Sequence, residues 1–139
     1  MINDSSTTAI ATRTGKQATK SPKPRHFFVS RHRGAIDWAR RHPWSIRADF
    51  LPHLDLSRVA RGDIVIGTLP VHLVAAVCAR GAKYFHLTID LTAQQRGQEL
   101  TADDLDAAGA HLVPYRVQVE HFPCPALDLK RDDSRLQSL

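Results

Sequence analysis

Two short segments carry most of the residues with chemical capability. The first is Ser30-Arg31-His32-Arg33, a hydroxyl, two guanidinium groups and an imidazole in four consecutive positions. The second is Gly67-Thr68-Leu69-Pro70. A third, looser group is formed by Asp90 and Arg96, with Thr88 and Gly97 beside them. Guanidinium and hydroxyl groups donate hydrogen bonds to phosphoryl oxygens, and imidazole moves protons. Phosphodiester cleavage needs both functions, charge stabilisation on the phosphoryl oxygens and proton transfer. On these grounds Arg31, His32 and Ser30 are the candidate catalytic residues, and Arg33, Gly67, Thr68, Leu69, Pro70, Asp90 and Arg96 the candidate ligand-binding residues. Each segment also has a plainer reading. Ser30 to Arg33 reads as an ordinary polar loop, Gly67 and Pro70 as turn chemistry, Thr68 and Asp90 as caps, and Arg96 as a surface arginine.

The elements around these segments alternate regularly. His26 to Ser30 is a short apolar run of strand formers, followed by Gly34 and an amphipathic stretch, 35–41, with Pro43 beyond its end. Residues 47–54 read as a second strand, and 56–60 as one helical turn with Ser57 as its cap. Residues 63–68 form a third strand, β-branched in its middle and expected to be buried on both faces. Pro70 stands at a first helical position with Thr68 available to cap. The helix 71–80 is apolar nearly all round, which predicts burial on most sides, and Gly81 ends it. Residues 83–89 form a fourth strand. A helix starts at Thr101, with Asp103 and Asp104 in its first turn, and Gly109 ends it. Residues 112–120 form a last strand, at an edge because of Pro114.

Strand–helix–strand units with short connections predict an α/β fold, a compact Rossmann-like domain with a mainly parallel sheet flanked by helices. Ligands of such sheets bind outside the carboxyl ends of the strands, near a switch in strand order. All three polar segments fall at those ends, and the first two run into helix amino termini, which suit anions.

Composition limits the remaining possibilities. The chain has 139 residues and a net charge of +5, which fits one domain. Residues 1–25 hold five of the basic residues (Arg13, Lys16, Lys20, Lys23, Arg25) against Asp4 alone. Residues 26–120 hold 11 basic and 10 acidic groups, so any anion site there is local. The expected organisation is a disordered polar tail over 1–25, a Rossmann-like domain over 26–121 and a C-terminal tail over 122–139. In that last tail Phe122 and Leu127 are the apolar docking points. A core this small would gain from dimerisation. No apolar run approaches the ~20 residues of a membrane span, and residues 1–25 lack the apolar centre of a signal peptide. Cys78 and Cys124 form no CxxC pair, so a cytoplasmic location is expected. His42, His53, His111 and His121 are scattered, while His72 and His86 read as packed residues. No metal site and no cofactor is predicted, and neither a GxGxxG nor a GxxxxGK[ST] motif is present.

The segments FFVSRHRGAIDWA (27–39), RGDIVIGTLPVHLVAAVCARGAKYFHLTIDL (61–91), RGQELTADDLDAAGA (96–110) and YRV (115–117) together resemble a small family of accessory proteins encoded with type III CRISPR systems, which carry a VIGTLP signature. The resemblance covers residues 27–117. It implies a homodimeric ring nuclease with a CARF-like fold, active in antiviral defence. Such an enzyme degrades cyclic oligoadenylate, chiefly cyclic tetra-adenylate, to linear products by metal-independent attack of a ribose 2′-hydroxyl on the adjacent phosphorus. In that reading Arg31 and Arg33 hold phosphates or stabilise the transition state, and His32 transfers a proton. Ser30 and Thr68 donate to phosphate or ribose, Gly67 allows close approach, and Asp90 and Arg96 orient ligand or partner subunit. A non-cleaving sensor or sponge for the same messenger needs the same pocket and is the alternative. A nuclease for linear RNA is disfavoured by the near-neutral core and the lack of an aromatic platform, so no stable DNA or long RNA partner is expected. A structural subunit of the CRISPR complex is the third rival.

Overall fold

The structure, a computed structural model, describes residues 22–123. Five strands form one sheet in the order β2-β1-β3-β4-β5. These are β1 (His26–Val29), β2 (Ala48–Leu51), β3 (Ile64–Gly67), β4 (Lys83–Thr88) and β5 (His111–Tyr115). The first four are parallel, and β5 runs antiparallel to β4. The helices are α1 (Arg33–Arg40), α2 (Val71–Ala79) and α3 (Ala102–Ala107). This is the mainly parallel α/β architecture that the alternating pattern predicts.

Alternation along the central strands feeds two cores. Phe27 and Val29 of β1, Val65 of β3 and Tyr84 of β4 face α2 and the β2–β3 connection, where they pack with Val59, Val74 and Val77. Phe28, Ile66 and Leu87 face the other way, against Ala35, Trp38 and Ala39 of α1 and Leu105 of α3. Strands in the middle of a parallel sheet are covered on both faces, hence their continuous apolar sequence. In α1 the buried residues Gly34, Ala35, Trp38 and Ala39 make a single stripe. The Trp38 indole N–H donates to Asp106 of α3 at 2.9 Å, tying the two helices together. Thr101 and Asp104 close a reciprocal capping box at the start of α3.

Several boundaries and caps differ from expectation. The second strand stops at Leu51 because Pro52 has no N–H for the ladder. The last strand stops at Tyr115, which pairs with Tyr84 near the start of β4; beyond it the chain turns to α2, where the Val117 amide donates to Cys78 Sγ at 3.4 Å. The turn at 56–60 is a 3-10 turn, Leu56–Arg58, and Asp55 rather than Ser57 caps it, accepting from the Ser57 amide. Helix α2 buries only Val74, Ala75 and Val77. Its outer side is bare, with Val71 69% exposed and His72 also on the surface. The all-round apolar sequence pointed to burial on most sides, but α1 and α3 share the opposite face of the sheet and leave α2 with one covered side. Phe122 is 64% exposed and does not dock.

One anchor at the foot of the sheet escaped the sequence pattern. Asp63 is buried just before β3. It accepts from the amides of Arg25 (3.0 Å) and Ala60 (2.9 Å) and pairs with the Arg25 guanidinium at 3.3 Å. Burial alone would raise its pKa, but these donors outweigh burial and hold the carboxyl below the usual carboxylate range. Arg25, placed by composition in the leading tail, is thus fastened to the domain. Residues 1–21 of that tail, and Cys124, Leu127 and the rest of 124–139, lie outside the described residues.

Candidate functional site

The order 2-1-3-4 places the topological switch between β1 and β3. Crossing from β1 to β2 moves one way along the sheet, and the next connection jumps back over β1 to β3. The helices after β1 and β3 therefore leave on opposite faces, and a crevice opens between the strand ends. A pocket of about 770 Å³ occupies that crevice, within the usual size range of small-molecule sites.

From β1 come Ser30, Arg31 and His32, and from β3 come Gly67, Thr68, Leu69 and Pro70, all lining the pocket. Local bonds explain how each segment is held. The Ser30 amide donates to the Leu51 carbonyl at 3.0 Å, extending the β1–β2 ladder by one residue. The Ser30 hydroxyl accepts from the His32 amide at 3.1 Å, which turns the chain into α1. At Gly67 the backbone φ is +156°, and a Cβ there would stand 2.5 Å from the Val29 carbonyl oxygen. The close approach that Gly67 permits is thus to the neighbouring strand. The Thr68 hydroxyl donates to the Leu87 carbonyl at 3.4 Å and does not cap α2. Pro70 is the N-cap itself and not the first helical residue.

Both helices begin at the pocket wall, α1 after His32 and α2 after Pro70. Neither has a side-chain cap bond or an acidic residue in its first turn. Their positive dipole ends are therefore not offset by an acidic residue of the helix itself, which favours an anionic ligand. The Tyr84 hydroxyl lies behind the β3–α2 loop. It donates to the Gly67 carbonyl (2.8 Å), accepts from the Leu69 amide (3.0 Å) and contacts His86 Nδ1 (2.8 Å). Burial pushes its pKa up and the Leu69 amide works the other way, the net being upward, so it is a neutral hydroxyl at ordinary pH.

A family described as "Putative CRISPR-associated protein (Cas_VVA1548)" matches residues 27–118, the span that builds both the sheet and the pocket. The chain belongs to this CRISPR-associated family. No curated protein matches it, and no solved structure does.

In this CRISPR-associated chain, seven of the ten candidate residues named from sequence line one pocket: Ser30, Arg31, His32, Gly67, Thr68, Leu69 and Pro70. Arg33, Asp90 and Arg96 do not line it. Arg33 opens α1 and turns toward Asp37, with 3.4 Å between Nε and Oδ2. Asp90 donates its amide to the Ala108 carbonyl at 3.1 Å, and Arg96 sits between the lining residues Gln95 and Gly97. Two groups of lining residues were missed. Pro52 and His53 follow β2, and Gln95, Gln98 and Glu99 come from the β4–α3 connection. His53 could have been found, because a strand parallel to β1 that stops at Pro52 must put the next residue on the same rim. Among the described residues no three His, Cys, Asp or Glu side chains converge as a metal site, and no helix is long and apolar enough to cross a membrane.

Proposed function

We propose that this protein is a ring nuclease that linearises cyclic oligoadenylate, chiefly cyclic tetra-adenylate, and so switches off type III CRISPR signalling. One observation carries the reading: in a chain of a CRISPR-associated family, the hydroxyl, guanidinium and imidazole of Ser30-Arg31-His32 meet the Gly67–Pro70 loop at a single switch-point pocket. The nucleophile is the substrate's own 2′-hydroxyl. It loses its proton as its oxygen bonds to the adjacent phosphorus. The bond from phosphorus to the 5′-oxygen breaks, and that oxygen takes up a proton. A linear product ending in a 2′,3′-cyclic phosphate results.

The protein then has to position the ring, stabilise charge on the phosphoryl oxygens and move protons. Arg31 and the two helix amino termini take the phosphate, His32 takes the proton-transfer role, and Ser30 and Thr68 donate to phosphate or ribose. Arg33, Asp90 and Arg96, standing off the lining, are assigned to orienting the ring or a second subunit. A four-nucleotide ring is larger than one such pocket, and a two-fold dimer would offer it two copies.

The test is incubation of the purified protein with cyclic tetra-adenylate in EDTA, with products resolved by liquid chromatography and mass spectrometry. Linear di- or tetra-adenylate ending in a cyclic phosphate is expected. An intact ring that is nevertheless tightly bound would replace the enzyme with a sensor or sponge, and an intact, unbound ring would overturn the ligand as well.

A further inference from the structure

We infer that Tyr84 is a positioning residue for the pocket wall, and that His86, carrying its proton on Nδ1, sets the direction of the Tyr84 hydroxyl. The kinetic part of this inference rests on the ring-nuclease reading; the structural part does not.

The argument is one of donors and acceptors. Three groups surround the Tyr84 oxygen: the Gly67 carbonyl at 2.8 Å, the Leu69 amide at 3.0 Å and His86 Nδ1 at 2.8 Å. A phenol has one proton to give and lone pairs to accept with. The Leu69 amide only donates, and the Gly67 carbonyl only accepts. The hydroxyl proton therefore goes to Gly67, and His86 must donate, which places its proton on Nδ1. Any other tautomer leaves one of these close contacts without a proton between its atoms. Tyr84 is 2% exposed, so water cannot substitute, and an unmet group there is destabilising.

The consequence lies in what the hydroxyl bridges. Gly67 and Leu69 flank Thr68, so one side chain fixes the backbone on both sides of a lining residue and immediately before the α2 N-cap. The Thr68 hydroxyl's own contact with Leu87 is long, 3.4 Å, and is the weaker anchor. Neither Tyr84 nor His86 lines the pocket. Their influence on ligand runs through the Thr68–Pro70 wall and the amides at the start of α2.

Three measurements on the full chain test this. Nitrogen-15 NMR of the neutral His86 ring should find Nδ1 protonated and Nε2 bare; an Nε2–H ring overturns the tautomer assignment. In Tyr84→Phe the Leu69 amide should exchange with deuterium at least tenfold faster while the β1 and β3 amides hold; unchanged exchange at Leu69 overturns the clamp. Should that variant fold poorly, His86→Asn, which keeps a donor near Nδ1, should preserve slow exchange at Leu69, and His86→Leu should lose it. Equal behaviour of those two overturns the role of His86. With cyclic tetra-adenylate, Tyr84→Phe should lower kcat on the order of tenfold to a hundredfold with a smaller change in KM, as loss of alignment does. An unchanged kcat overturns the positioning role. If the wild-type protein does not cleave the ring, the proposed function falls, and the exchange and tautomer results still decide the clamp.

Discussion

Gly34, in the first turn of α1, lies so close to the Leu100 backbone that a Cβ added to it would stand 1.8 Å from the Leu100 carbonyl oxygen. Leu100 lines the pocket and immediately precedes the capping residue of α3. The glycine therefore lets the β4–α3 connection seat directly on α1 and close the pocket from that side. The atom in the way is backbone, with no flexible side chain to yield. Gly34→Ala is expected to destabilise the fold by about 3 kcal/mol, the upper part of the usual overpacking cost. For a domain of about 100 residues that lowers Tm by about 12–24 °C. Scanning calorimetry checks it, and a Tm within a degree or two of wild type would mean the connection moves aside freely.

Two other glycines separate crowding from backbone strain. Gly67 has φ +156° and a neighbouring carbonyl 2.5 Å from a built Cβ, whereas Gly97 has φ +80° and open space around it. Gly97→Ala is expected to cost only the left-handed backbone, about 1 kcal/mol. Gly67→Ala adds the clash that pushes β3 away from β1, about 1–3 kcal/mol more, and should weaken ligand binding as the switch point widens. Urea denaturation and titration calorimetry on both variants read the difference. Equal losses would show that crowding at Val29 relaxes at no cost.

How far the sequence alone reveals this molecule depends on which force placed each residue. Alternation of apolar strands with amphipathic helices is a burial signal, so the parallel sheet and the ends of β1 and β3 were legible. So was the grouping of Ser30, Arg31 and His32 with Thr68, because topology alone brings those ends together. The covering of α2 was not legible, since an apolar helix reads the same whether or not anything packs on its back. Thr68 and Ser57 look like caps by residue type, yet both hydroxyls donate elsewhere, to the Leu87 carbonyl and the Asp55 carboxylate, as tertiary register and a competing cap decide. The β4–α3 connection has no periodicity at all, so Gln95, Gln98 and Glu99 became pocket residues only once Gly34 showed where that connection seats.

Asp63 makes stability depend on pH in a defined direction. Its folded pKa lies below the ordinary value, chiefly because the Arg25 and Ala60 amides and the Arg25 guanidinium outweigh burial. A depressed carboxylate contributes its stabilisation above the unfolded pKa of ~3.9 and loses it as pH falls through the folded value. The wild-type protein should therefore lose stability as pH drops below about 4. In Asp63→Asn that acid-linked loss should be smaller, and stability at pH 7 should be lower by about 2–3 kcal/mol, the worth of hydrogen bonds to a buried charge. Denaturant titrations at pH 7 and pH 3.5 on both proteins measure it. An equal acid-linked loss in the two would assign the effect to other carboxylates.

Arg31 and Arg33 are two positions apart, yet only Arg31 lines the pocket, while Arg33 is turned toward Asp37. If Arg31 stabilises the phosphoryl oxygens, Arg31→Ala should lower kcat/KM for cyclic tetra-adenylate on the order of 10²–10³-fold. Arg31→Lys should recover part of that, because an ammonium keeps the charge and loses the planar fork. If His32 carries the proton, His32→Ala should cost on the order of 10²–10⁴-fold. Arg33→Ala should cost less than either. Single-turnover rates with radiolabelled ring order the four variants. A loss in Arg33→Ala equal to that in Arg31→Ala would mean that Arg33 leaves Asp37 when the ring binds, and that the rim closes around its ligand.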